Sequence, residues 1–196
     1  MRGLVAGSVL RFFVAKTIVA AYGPAIEAAT APFQFALSTR AGTDAVGQAL
    51  RLLSDRDPNM VIVSLDGIGA FDHVRRSAFM QKLLDVPSLH ALIPFVRMWY
   101  DRLSCFLWTD DDGEVHQILQ GEGGEQGDPL MPALFALAQH DSLATAAASL
   151  RDGEHIFAFL DDLYLATTRE RASDSFARLA SEVERGAGVR THMGKL

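Results

Sequence analysis

Cysteine is nearly missing from this chain: Cys105 stands alone among 196 residues. A single thiol excludes a disulfide framework and a thiolate zinc site. The six histidines are scattered, with no H-E-x-x-H spacing to suggest a zinc hydrolase. Basic residues are also scarce, with 18 Lys and Arg against 24 Asp and Glu, a net charge of −6. That balance counts against a self-sufficient nucleic-acid binder, unless basic parts belong to a larger protein. Long apolar runs are missing too. The Ala/Val-rich first thirty residues are interrupted by Arg2, Arg11 and Lys16, and no run approaches the ~20 apolar residues of a membrane span. No clean cleavage region follows, so a signal peptide is not expected either. Repeats and low-complexity tracts are likewise missing.

What remains is a hydrophobic content of 49%, enough for a real core in one domain, or one domain with an appendage. With one cysteine, an intracellular setting is the natural expectation.

The most informative stretch is Phe157-Ala158-Phe159-Leu160-Asp161-Asp162-Leu163-Tyr164-Leu165. Two adjacent acids interrupt an apolar, β-forming run, which predicts a tight hairpin with the acids at its tip. Ionised groups resist burial unless a partner or a metal compensates. Successive strand side chains point to opposite faces, so Asp161 and Asp162 are expected to diverge. An Asp-Asp turn that merely faces water is the plain alternative. A second strand-like run, Met60-Val61-Ile62-Val63-Ser64-Leu65-Asp66, also ends on a carboxylate. Two such ends side by side in one sheet would make an oxygen-rich site suited to Mg²⁺.

The rest of the chain reads as helices between turns. Ser8 is expected to cap a helix to about Tyr22, with Gly23-Pro24 ending it and a short helical piece following near Ile26 to Thr30. A helix from Thr43 to about Leu53, one from His73 to Asp85 and one from Pro87 to about Arg102 follow. Residues 105–109 and 115–119 form a hairpin around Asp110-Asp111-Asp112-Gly113-Glu114, an acidic turn without the alternating ligands of an EF-hand. The Gly-rich loop Gly121-Glu122-Gly123-Gly124-Glu125-Gln126-Gly127-Asp128-Pro129 lacks the Gly-Lys-Ser/Thr of a P-loop. Its glycines point to a backbone that something must approach closely, or else to a flexible connector. It leads into an Ala/Leu-rich helix to about Ser149. A charged helix from Arg169 to about Arg185 closes the series.

Read together, the motifs resemble those of reverse transcriptases of the non-LTR retrotransposon type. Asp66-Gly67-Ile68-Gly69-Ala70-Phe71-Asp72 resembles motif A. Gln126-Gly127-Asp128-Pro129-Leu130-Met131-Pro132 resembles motif B, with Met131 in place of a small residue. Phe159-Leu160-Asp161-Asp162 resembles motif C, and residues 188–195 resemble motif D, with Thr191 and His192 departing from its Leu-Asn. Pro32-Phe33-Gln34-Phe35 and Arg40-Ala41-Gly42-Thr43-Asp44-Ala45 resemble the join between fingers and palm. Arg2 falls where the family has Arg-Pro-Ile, with Gly3 in place of Pro.

The resemblance implies an α+β right-hand polymerase palm, an antiparallel sheet backed by helices, with partial fingers and no thumb. Residues 1–58 would be partial fingers and the junction, and 59–196 the palm. It implies RNA-directed DNA polymerisation by two Mg²⁺ ions, with Mn²⁺ as a substitute. Asp66, Asp161, Asp162 and the Gly67 carbonyl would hold the metals, the three aspartates being catalytic. Phe71 would be the steric gate under the sugar, with an ordinary core Phe as the alternative. Gln126 and Gly127 would touch the incoming nucleotide. Arg2 would pair with its triphosphate, and Lys195 would protonate the pyrophosphate. The partners would be an RNA template with a DNA primer and a dNTP, in part of a larger polyprotein, with a nuclear location in a eukaryotic host. An inactive relic that keeps the palm, and a palm-like two-carboxylate nucleotide cyclase, are the alternatives. The Gln126-Gly127-Asp128-Pro129 loop speaks against the cyclase.

Overall fold

The computed structural model describes residues 8–37, 39–125 and 127–192. Arg2, Gln126 and Lys195 therefore lie outside the described residues.

A three-stranded antiparallel sheet carries the acidic motifs. Strands β1 (Met60–Leu65), β4 (His155–Phe159) and β5 (Asp162–Thr168) lie in the order β1-β5-β4. A second sheet is the hairpin of β2 (Ser104–Thr109) and β3 (Val115–Gln120). Around them run α1 (Val9–Thr30), α2 (Gly42–Arg56), α3 (Ala70–His73), α4 (Arg76–Asp85), a 3-10 turn over Pro87–Leu92, α5 (Ile93–Tyr100), α6 (Met131–Ala147) and α7 (Ala172–Ala187). The expected order of helices and hairpins holds, with shifted boundaries.

Alternation along β5 sets the sheet's two faces. Leu163 and Leu165 are buried, while Asp162 is exposed and Tyr164 half-exposed. One face therefore packs in the core, while the other is open near the turn, at Asp162 and Tyr164, and covered at Ala166. Helix α6 lies in the core and buries residues all round, from Leu134 and Phe135 to Ala146. That explains its lack of an amphipathic stripe, since a helix apolar on every side belongs inside. Helix α7 is amphipathic by contrast, burying Leu179, Val183 and Ala187. Gly188 ends it in the left-handed conformation at φ 79°, a usual helix stop.

Two expectations about helices are corrected. Gly23-Pro24 does not end the first helix: α1 runs unbroken for 22 residues with Pro24 inside. Proline removes one backbone donor there, but burial of Ala15, Ile26 and Thr30 on the same rod outweighs the local loss. Helix α1 is also long and apolar enough to cross a membrane by length and composition alone. The helix expected from His73 is divided, because Val74 takes an extended ψ of 132° between α3 and α4.

Candidate active site

The acidic motifs meet at one end of the sheet. The last paired residues of β1 and β5 are Leu65 and Leu163. Asp66 directly follows Leu65 and Asp162 directly precedes Leu163, so the two aspartates flank the last pair of the ladder. Phe159 pairs with Asp162 across β4 and β5, so Leu160 and Asp161 form a two-residue turn. Leu160 holds φ at 56°, an uncommon conformation for a branched residue. The turn is held from outside: Gln34 Oε1 accepts the Leu160 N–H at 2.9 Å and the Ala36 N–H at 3.2 Å. Residues 33–35 run along β4, with Phe35 N donating to the Ala158 carbonyl and Ala158 N to the Phe33 carbonyl. The segment expected to join fingers to palm thus buttresses the acidic turn.

The chain beyond α7 returns to Asp66. Ile68 N donates to the Arg190 carbonyl and His192 N to the Asp66 carbonyl, both at 2.8 Å. Gly67 sits opposite Thr191 in this bridge, and these two bonds do not use its carbonyl. A Cβ on Gly67 would lie 2.8 Å from Val189 Cγ1, so the close approach of the returning segment requires glycine.

A cleft of ≈ 530 Å³ opens beside the turn, lined by Asp161, Phe71, Gly127, Asp128, Met131, Phe12 and Lys16, among others. Phe71 stacks on Phe135, with ring centroids 4.7 Å apart and planes 18° apart. It is thus anchored in the core on one side and faces the cleft on the other. The Gly-rich loop also lines the cleft and is bonded to the Phe71 backbone. Gly123 N donates to the Val74 carbonyl at 2.7 Å, and Gly124 N to the Phe71 carbonyl at 2.9 Å. Arg76 Nε donates to the Gly123 carbonyl at 2.9 Å. A Cβ on Gly123 would lie 2.2 Å from the Asp72 carbonyl oxygen, and one on Gly124 1.9 Å from Met131 Sδ. The close approach expected of these glycines is made by the chain itself. Gly127 is different: φ is 106° and nothing lies within 4 Å of a Cβ there.

Three residues at this site went unmarked in the sequence. Lys16 is a cation lining the cleft. Arg11 is buried and bonds Glu125 Oε1 at 2.5 Å and Asp128 Oδ2 at 2.7 Å. Tyr100 donates its hydroxyl to Asp128 Oδ2 at 2.8 Å. Burial would lower the Arg11 pKa, but the surrounding Tyr100, Asp128 and Glu125 outweigh it and raise it. Burial and then the Asp128 charge push the Tyr100 hydroxyl up, so it stays protonated as a donor. The available signal was two cations set inside the apolar run of α1, but the Arg11 partners Tyr100, Glu125 and Asp128 lie 89 to 117 residues away.

The residues proposed for metal binding are oxygen donors of the hard type that Mg²⁺ takes. A second set of candidate ligands, Asp110, Glu114 and His116, gathers at the β2-β3 turn. The turn explains that second trio. Asp110 accepts the N–H groups of Asp112 and Glu114 and meets His116 Nε2 at 2.6 Å. The His116 contact is the main cause that keeps the Asp110 carboxyl below its ordinary value.

The fold resembles that of solved telomerases. Telomerase from Candida albicans, solved with a TWJ fragment of telomeric RNA, superimposes with a TM-score of 0.63 at 13% identity, over 94% of this chain and 34% of that one. Apo telomerase from Candida tropicalis gives 0.65 at 11% identity, over 94% and 35%. The chain thus spans about a third of the length of these proteins. No curated protein matches the sequence. Residues 11–196 match the family described as reverse transcriptase (RNA-dependent DNA polymerase), and the chain belongs to that family.

Proposed function

We propose that this chain is the catalytic core of an RNA-directed DNA polymerase of the non-LTR retrotransposon type. Residues 1–58 would supply partial fingers and 59–196 the palm. One observation carries the reading: Asp161, Phe71 and Gly127, from three motifs far apart in sequence, line a single cleft beside the strand end that bears Asp66.

Asp66, Asp161 and Asp162 would hold two Mg²⁺ ions, with the Gly67 carbonyl contributing. Bound there, the ions would activate the primer's 3′-oxygen and neutralise the pyrophosphate leaving group. The chain's own residues do the rest. Phe71, fixed by its stack on Phe135, would lie under the sugar and exclude a 2′-hydroxyl. Gly127 presents open backbone to the nucleotide and template. Lys16 faces the same space and suits a triphosphate, a role also open to Arg2. Lys195 would serve as the acid for the pyrophosphate. RNA template, DNA primer and dNTP are the partners. The basic surface missing from a chain of charge −6 would come from other parts of a polyprotein. The setting would be intracellular, and nuclear in a eukaryotic host.

Primer extension on an RNA template with Mg²⁺ tests this, with Asp161→Asn as the control. Template-dependent extension by the wild type alone is expected. A cyclic nucleotide product in its place would favour the two-carboxylate cyclase, and a folded chain without turnover would favour the relic.

A further inference from the structure

We infer that Arg11 is a positioning residue that sets the conformation of the cleft-lining tip of the Gly-rich loop, and through it the affinity for the incoming dNTP. The inference rests on the polymerase reading above.

The loop needs such a device. Its first half is fixed by backbone bonds from Gly123 and Gly124 and by the Arg76 side chain. Its tip closes on one backbone bond, from the Asp128 N–H to the Glu125 carbonyl at 3.2 Å. Gly127 is exposed, takes φ 106° and has open space around it. Glycine reaches many backbone conformations at similar energy, so one 3.2 Å bond leaves the tip's shape open to control from outside. The two residues flanking the tip, Glu125 and Asp128, both end on the Arg11 guanidinium. One rigid planar cation therefore clamps the two side chains beside the backbone bond that joins them, which a flexible ammonium cannot do in the same way.

Arg11 is itself held. Its guanidinium lies 4.6 Å from the Trp99 ring centroid and 5.2 Å from that of Tyr100. Tyr100 also bonds the same Asp128 oxygen. The other Asp128 oxygen accepts the Leu130 N–H at 2.9 Å, just before α6. The tip is thus tied to α1, to α5 and to the start of α6 through one buried carboxylate. Helix α1 contributes Phe12 and Lys16 to the same cleft, so Arg11 ties these two parts of its lining together.

The test separates positioning from general stability. Arg171 pairs with buried Glu154 at 3.0 Å, and neither residue lines the cleft, so Arg171→Met supplies a control ion-pair loss. Steady-state extension is measured per active enzyme, well below each variant's melting temperature. Arg11→Met is expected to raise the KM for dNTP at least tenfold, and Arg11→Lys to fall between it and wild type. Arg171→Met is expected to lower the melting temperature with KM unchanged. A dNTP KM for Arg11→Met within twofold of wild type overturns the inference. If the wild type extends no primer, the polymerase reading fails, and amide hydrogen exchange decides on Arg11 by itself. Arg11→Met should then speed exchange at residues 124–128 at least tenfold while Arg171→Met does not. Equal exchange in all three proteins overturns the positioning role.

Discussion

Leu65 pairs with Leu163 across β1 and β5, and this apolar contact brings Asp66 to the end of the sheet where Asp161 lies in the turn and Asp162 opens β5. Both leucines are buried, so the strand ends are held by packing and the acids project past the covered part of the sheet. Carboxylates gathered in this way repel one another until a cation offsets them. Asp161→Asn removes one charge while nearly keeping shape. The variant is expected to be as stable as wild type or slightly more so, and to lose Mg²⁺-dependent stabilisation and polymerisation. Thermal melts with and without Mg²⁺ and a matched dNTP check this. A clearly destabilised variant beside a wild type that ignores Mg²⁺ would return Asp161 to a hairpin role.

Phe71 divides its ring between the core and the cleft. Phe71→Ala removes the stack on Phe135, and for a half-buried ring about 2 kcal/mol of stability should go with it. The same change should raise the ratio of NTP to dNTP incorporation. Urea unfolding and single-nucleotide extension measure the two effects. Lost stability with an unchanged sugar ratio would leave Phe71 as a core residue only.

The loop glycines should respond unequally to alanine. At Gly123 the new Cβ meets a backbone carbonyl at 2.2 Å, and backbone cannot move aside cheaply. Gly123→Ala should cost about 3 kcal/mol or more, or prevent folding. Gly127→Ala meets no neighbour and carries only the strain of φ 106°, about 1–2 kcal/mol. Equal losses in chemical denaturation would contradict the docked first half and open tip.

Acid should destabilise the fold in two stages. Burial lowers the His140 pKa, with the Lys82 charge adding, while Asp141 and a backbone bond to Thr30 oppose. Folded His140 thus binds its proton at lower pH than unfolded His140. Its contribution is present above about pH 6.5 and is lost as pH falls through the folded value. Burial would raise the Glu154 carboxyl, but the Arg151 N–H, the Thr167 hydroxyl and the Arg171 charge together lower it. That contribution is present above about pH 4.3 and is lost as pH falls further. His140→Asn should flatten the first stage and leave the second, as read by denaturation midpoints from pH 8 to 3. An unchanged slope below pH 6.5 would rule out His140.

Much of this protein is legible in one dimension. Acids set inside apolar β-runs announced the strand ends at Asp66 and Asp161, because burying a carboxylate needs a reason that packing cannot supply. The apolar, β-forming run around Asp161 and the amphipathic pattern of α7 named their own elements, since both patterns are local. Contacts across the chain decided the rest. Pro24 stays helical because Ile26 and Thr30 find burial against distant elements, which no local propensity records. Gly123 and Gly124 read as approached glycines, yet only folding showed that Asp72 and Met131 make the approach. Arg11 read as an interruption in an apolar run. Its partners Glu125 and Asp128 lie 114 and 117 residues away, and a charge pair that distant exists only once tertiary packing has closed the chain on itself.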